Sequence, residues 1–166
     1  MFEIQSFQIF SFQHLVTIAI VLPIVVAIPF SLRNKSDSVK TVIGKLIAVL
    51  ILVHHVAQAI RTTAFFNLPW TEALPLHMCD LSSFCIAIYF LKGGRIFFNC
   101  AFFWGIGGAT MSLLTPTVSY GFPDLEYLLF FYFHGLILLG VFFAFIAFKQ
   151  RPFLPDLFKV IGVSII

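Results

Sequence analysis

Long apolar runs alternate with short polar stretches along this chain. The runs cover residues 12–32, 42–60, 74–91, 96–114 and 125–148. A helix needs about 20 apolar residues to cross ~30 Å of hydrocarbon, so each run predicts a transmembrane helix. A further run begins near Leu157 and ends with the sequence at Ile166, too short to span. The expected fold is all-α: a polytopic transmembrane helix bundle with five complete spans and the start of a sixth. One helical domain over residues 1–166, cut at its C-terminal side, is the domain reading. Helices are the expected element because a lipid-exposed backbone must pair its polar groups within its own segment.

Composition agrees with the pattern. Hydrophobic residues make up 60% of the 166 and charged residues 10%, against about 25% charged in soluble domains. The N-terminus carries Glu3 instead of a basic cluster, and no small-residue cleavage site follows the first run. A cleaved signal peptide is therefore not expected. Lys and Arg set the orientation. Arg33, Lys35, Lys40 and Lys45 follow run one, Lys92 and Arg95 follow run three, and Lys149, Arg151 and Lys159 follow run five. These loops share one side, expected to be cytoplasmic. The other side holds Arg61 with Glu3, Glu72, Asp124 and Glu126. The N-terminus is thus expected outside, in a cell membrane. The net charge of +3 then reports topology, and nucleic acid is not an expected partner. Membrane lipids are.

The histidines carry the candidate chemistry. With that topology, His14, His54, His55, His77 and His134 all fall in the outer half of the bilayer. Ionisable groups inside a membrane are costly and usually mark a site. The expectation is one outward-opening cavity shared by all five. His54, Gln58 and Arg61 follow i, i+4, i+7 and share one helix face; substrate contact is assigned to them with His14 and His55. Run three opens Leu74-Pro75-Leu76-His77-Met78-Cys79-Asp80. Pro75 suits a first helical turn, which would place His77 within that turn. His77 and Asp80, three apart, can meet on one face, with Asp80 orienting the imidazole. Cys79 stands roughly 200° around the helix from His77. A base for its thiol must come from another span, with His134 or His14 the candidates. Gly135 is expected to leave room beside the His134 ring.

Other signals read as packing. Gly105/Ala109 and Gly108/Ser112 are small-xxx-small pairs. Cys85 and Cys100 read as small buried hydrophobes. No His-x-x-x-His or zinc-type cysteine spacing occurs, so no metal or cofactor is assigned.

Phe10-Ser11 with His14, Leu74-Pro75-Leu76-His77-Met78-Cys79, Leu114-Thr115-Pro116 and Phe133-His134-Gly135 together resemble the bacterial YwaF-like integral membrane family. That family is similar to the eukaryotic transmembrane protein 164 family. The resemblance covers nearly the whole chain and implies about seven spans in the complete protein. It also implies a cysteine-dependent acyltransferase making ether phospholipids that carry polyunsaturated chains. In the relatives' Pro-Cys-His pattern, Leu76 stands here at the cysteine and His77 matches the histidine.

Three function classes follow. The first is a lipid-active acyltransferase or hydrolase using His77, Asp80, His134 and Cys79. A metal-dependent hydrolase is its variant. The second is a small-solute transporter or sensor, suggested by Pro23 and Pro29 interrupting run one. The third is a bundle whose polar residues only fix helix packing. Oligomeric state is not readable from the sequence.

Overall fold

The computed structural model describes residues 6–156 and positions 158, 160 and 162. Among the described residues five named α-helices make up the bundle: α1 (Phe12–Leu32), α2 (Asp37–Ile60), α3 (Met78–Lys92), α4 (Arg95–Leu114) and α5 (Leu125–Ile146). Four are long and apolar enough to cross a membrane: α1, α2 with the turn that extends it to Phe65, α4 and α5. The expected sixth span from Leu157 lies largely outside the described residues, as do Glu3 and Lys159.

α3 departs from expectation. Its 15 residues rise roughly 22 Å, short of the hydrocarbon thickness. Hydropathy placed its start at residue 74, but His77 is its N-cap and Leu74 is extended. Pro75 therefore precedes the helix and does not sit in its first turn. The Asp80 carboxylate accepts the His77 backbone N–H at 3.1 Å, which starts the helix where an orphan amide finds a partner. α5 also stops at Ile146, two residues before the end of its hydrophobic run.

α1 is continuous through Pro23 and Pro29. The interruption expected there is absent, because the first proline lies deep in an otherwise regular helix and both are accommodated without a break. Ser11 caps its start by accepting the His14 backbone N–H.

Short connections make neighbours antiparallel. Only Gly93 and Gly94 separate α3 from α4, at φ 78° and 105°, a region glycine enters without steric cost. α5 is the central helix and α1 the peripheral one, packed on α5. One core cluster joins α2, α3, α4 and α5 through Ile51, Ile86, Phe98 and Phe143. A second ties α1 to α5 through Val25, Tyr127, Phe131 and Leu138. The small-residue reading of α4 holds. A Cβ on Gly105 would stand 2.7 Å from Ser82 Oγ and 3.1 Å from Val141, so only glycine permits this approach. Ser82 in turn donates to the Ala101 carbonyl across the α3–α4 seam.

Alternation of the helices places Arg33, Lys35, Lys40, Lys92, Arg95, Lys149 and Arg151 at one end of the bundle. Arg61 is the Lys or Arg of the other end among the described residues.

Candidate functional site

At the end opposite the basic loops, the bundle opens into a cavity of about 430 Å³. Its walls come from the last turns of α2, the π turn Arg61–Phe65, residues 72–77, the start of α3, the end of α4 and the first half of α5. α1 contributes nothing to it. The cavity exists because α3 starts late: the extended stretch before Met78 leaves a gap that a longer helix would fill.

Eight of the nine residues singled out from the sequence line this cavity: His54, His55, Gln58, Arg61, His77, Cys79, Asp80 and His134. The α2 stripe forms as spaced, with Arg61 Nη1 donating to Gln58 Oε1 at 3.3 Å and its guanidinium lying over Phe66.

His14 is the exception, and the expectation of five histidines in one cavity is corrected. Its ring is fully buried between α1, α5 and the end of α4. Nε2 lies 2.8 Å from the Leu113 carbonyl, and a carbonyl only accepts, so Nε2 carries the proton. Nδ1 accepts the Phe10 N–H at 3.0 Å. Both nitrogens are therefore spent, and Phe7, Phe10 and Phe131 close around the ring. The N-terminal residues seal this spot further, since Phe7 N–H donates to the Ser119 carbonyl. His14 is a staple with both ring nitrogens bonded, and it does not line the cavity that holds Cys79.

The same donor logic sorts the cavity histidines. His134 donates Nδ1–H to the Phe130 carbonyl at 2.8 Å. This places the neutral ring's lone pair on Nε2. Among the described residues Nε2 has no protein hydrogen-bond partner. His77 Nδ1 lies 3.3 Å from Asp80 Oδ2, which again leaves Nε2 as the basic nitrogen. The His77 side chain is 91% exposed and that of Asp80 only 16%; the imidazole hangs at the mouth on an inward carboxylate. His55 Nε2 is 2.7 Å from Ser83 Oγ. Ser83 already donates to the Asp80 carbonyl, so it accepts from His55, and the His55 lone pair is on Nδ1. His54 is held by rings: it stacks on Phe133 at 4.3 Å and 7° and edges onto His55.

Cys79 is half-buried, with Sγ 3.7 Å from Ser112 Oγ and packed on Gly108. The Gly108/Ser112 pair therefore makes room for the thiol as well as for the helix. The space at Gly135 is used differently from expectation. A Cβ there would meet Val21 of α1 at 3.0 Å, so this glycine admits α1 and does not free the His134 ring. Cys85 and Cys100 lie away from the cavity, against Trp104 and Phe103.

Several lining groups went unremarked as chemistry in the sequence. Glu72 and Glu126 add carboxylates, so three carboxylates and one guanidinium line the cavity, and Thr62, Ser112 and Thr117 add hydroxyls. Ser83 was findable: it lies at i+3 from Asp80, where a serine hydroxyl reaches back to a carbonyl. At the basic end, buried Asn99 donates to Asp156 at 2.8 Å, with Arg95 3.4 Å from the same oxygen. That contact spans 57 positions and has no local sequence signal. Among the described residues, no three His, Cys, Asp or Glu side chains are grouped to hold a metal ion.

A model described as the TMEM164 family matches residues 9–166. The chain therefore belongs to the TMEM164 family, a family of multi-pass membrane proteins. No curated protein and no solved structure matches it.

Proposed function

We propose that this TMEM164-family chain is an enzyme acting on membrane lipids, an acyltransferase or hydrolase whose active site is the cavity. The observation that carries this reading is that the Cys79 thiol and the His134 imidazole line the same cavity. His134 is oriented by a main-chain carbonyl, with its second nitrogen unclaimed among the described residues. A thiol and an oriented imidazole in one cavity are the parts that acyl transfer through a nucleophile and a base requires.

The chemistry runs in two steps. The Cys79 thiol attacks an ester carbonyl carbon of the donor lipid and gives its proton to an imidazole, with His134 the base. A C–S bond forms, the ester C–O bond breaks, and the departing alcohol takes the proton back. Water or an acceptor hydroxyl then attacks the thioester, hands its proton to the imidazole, and the C–S bond breaks to return the thiol. Asp80 holds His77 at the mouth, where its Nε2 serves as a second acid–base group. Gln58, Arg61, His54 and His55 contact the substrate.

The same proposal includes orientation and span number. The basic loops lie in the cytoplasm of a cell membrane and the cavity opens outside. α3 crosses as a fifth span.

Comparative lipidomics tests the reading in cells with and without the gene, complemented by wild type, His77→Ala or Cys79→Ala. The expected result is a defined change in acyl-chain pattern that wild type restores and both variants fail to restore. Restoration by both variants would remove the enzyme reading.

A structural reading has one observation in its favour. Asp80 caps α3 through the His77 amide, a role that requires no chemistry. It predicts that Asp80 and His77 substitutions change stability and leave lipids untouched. The transporter reading loses the interrupted helix that suggested it, since α1 is unbroken.

A further inference from the structure

Residues 65–76 join the π turn to α3 and form one wall of the cavity, supplying Glu72, Ala73, Leu74 and Pro75. Their outer surface is apolar. Phe65 is 76% exposed, Trp70 68% and Leu76 71%, with Phe66, Leu68 and Leu74 also exposed. A soluble surface rarely gathers so many large apolar side chains, and such a patch marks an interaction site.

We propose that this segment lies in the polar interface of the membrane leaflet, so that the cavity wall is lipid-embedded and a lipid reaches the cavity sideways from the leaflet. Three observations choose lipid as the partner. Glu72 is the only Asp, Glu, Lys or Arg between Arg61 and Asp80, which leaves little charge complementarity for a soluble protein. The exposed apolar surface of α2 runs to Val56 and Ile60 and continues along the chain into Phe65. Trp anchors at the membrane–water interface, and Trp, Phe and Leu are the side chains that elements lying in the interface bury at the headgroup–acyl boundary.

The backbone fixes the depth. The segment combines a π turn, a 3-10 turn at Trp70–Ala73 and extended residues, with Asn67 at φ 51°. Its backbone hydrogen bonds, such as Phe66 N–H to the Arg61 carbonyl and Leu68 N–H to the Thr62 carbonyl, satisfy only part of its polar backbone. Lipid-exposed irregular backbone is not tolerated in hydrocarbon. The segment therefore sits among headgroups and the first chain carbons, no deeper. The sideways route rests on the lipid-enzyme reading; the embedding does not.

The chain's two tryptophans, Trp70 and Trp104, allow a direct test. Trp104→Phe protein, with Trp70 as sole reporter, is placed in phosphatidylcholine bilayers brominated near the headgroup or near the chain ends. The expected result is blue-shifted emission, with headgroup-proximal bromine quenching about twofold more than chain-end bromine, as an interfacial anchor requires. Iodide in the aqueous phase quenches little. The Trp70→Phe variant, which keeps Trp104, checks the assignment if Trp104→Phe protein does not fold: the shallow-quenched component must vanish. Water-like emission quenched by iodide would overturn the proposal, and so would strongest quenching from chain-end bromine. Neither readout depends on activity, so a failure here leaves the enzyme reading to its own test.

Discussion

His14 faces the central helix from α1 and His134 belongs to that helix, both toward the same end of the bundle, and they are treated in opposite ways. His14 has both nitrogens bonded, to Leu113 and Phe10, and an aromatic cage. His134 has one nitrogen bonded, to a carbonyl of its own helix, and borders the cavity. Both lie toward the same end of the bundle; what differs is how many neighbours close around each ring. α1 covers one flank of α5 along its length, while α3 begins too late to cover the other. A buried histidine with two partners is packing, and one with a single partner beside a cavity is available for chemistry.

The largest effect is expected at His134. His134→Ala should lower acyl transfer or hydrolysis by about 10²–10⁴-fold, the range for loss of a general base, while the melting temperature in detergent changes little. Parallel activity and melting measurements check this. A variant that keeps wild-type rates would place His134 with His14 as a packing residue.

His14→Ala should show the reverse profile. It removes two hydrogen bonds, strands the Leu113 carbonyl and empties a sealed site, for a loss of roughly 2–4 kcal/mol in stability. The rate per folded molecule should remain near wild type. A large loss of rate with unchanged melting behaviour would show that sealed and open histidines are not functionally separate.

Ser83→Ala is expected to have the smallest effect. It takes away the acceptor of the His55 Nε2–H and the bond to Asp80. One net hydrogen bond is about 0.5–1.5 kcal/mol, so a roughly two- to tenfold drop in activity is expected. Threonine at this position keeps the hydroxyl and should recover most of it. Equal losses in Ser83→Ala and Ser83→Thr would assign the effect to packing instead.

Much of the site was legible because it repeats along one helix. His54, Gln58 and Arg61 share a face by spacing alone, and the structure lines the cavity with all three. His77 and Asp80 meet as their separation allows. The start of α3 was not legible. Hydropathy scores solvent preference, and Leu74, Pro75 and Leu76 are as apolar in extended backbone as in a helix. Only the Asp80 carboxylate taking the His77 amide shows where helical geometry begins. The proline argument failed for the same reason, since Pro75 suits a first turn or an extended lead-in equally.

What the sequence determined by itself was depth and polarity: which segments are apolar enough to enter a membrane, and which loops carry the basic residues. Those properties add up residue by residue along a segment, so no knowledge of neighbours is required. Tertiary structure alone decided which residues surround which. His14 and Leu113 lie 99 positions apart and Asn99 and Asp156 lie 57 apart. Such pairs depend on how helices rotate and dock, and close contacts at Gly105 and Gly135 set that docking. A count of residues along a helix places a histidine at a level, but only packing determines whether that level is closed or open.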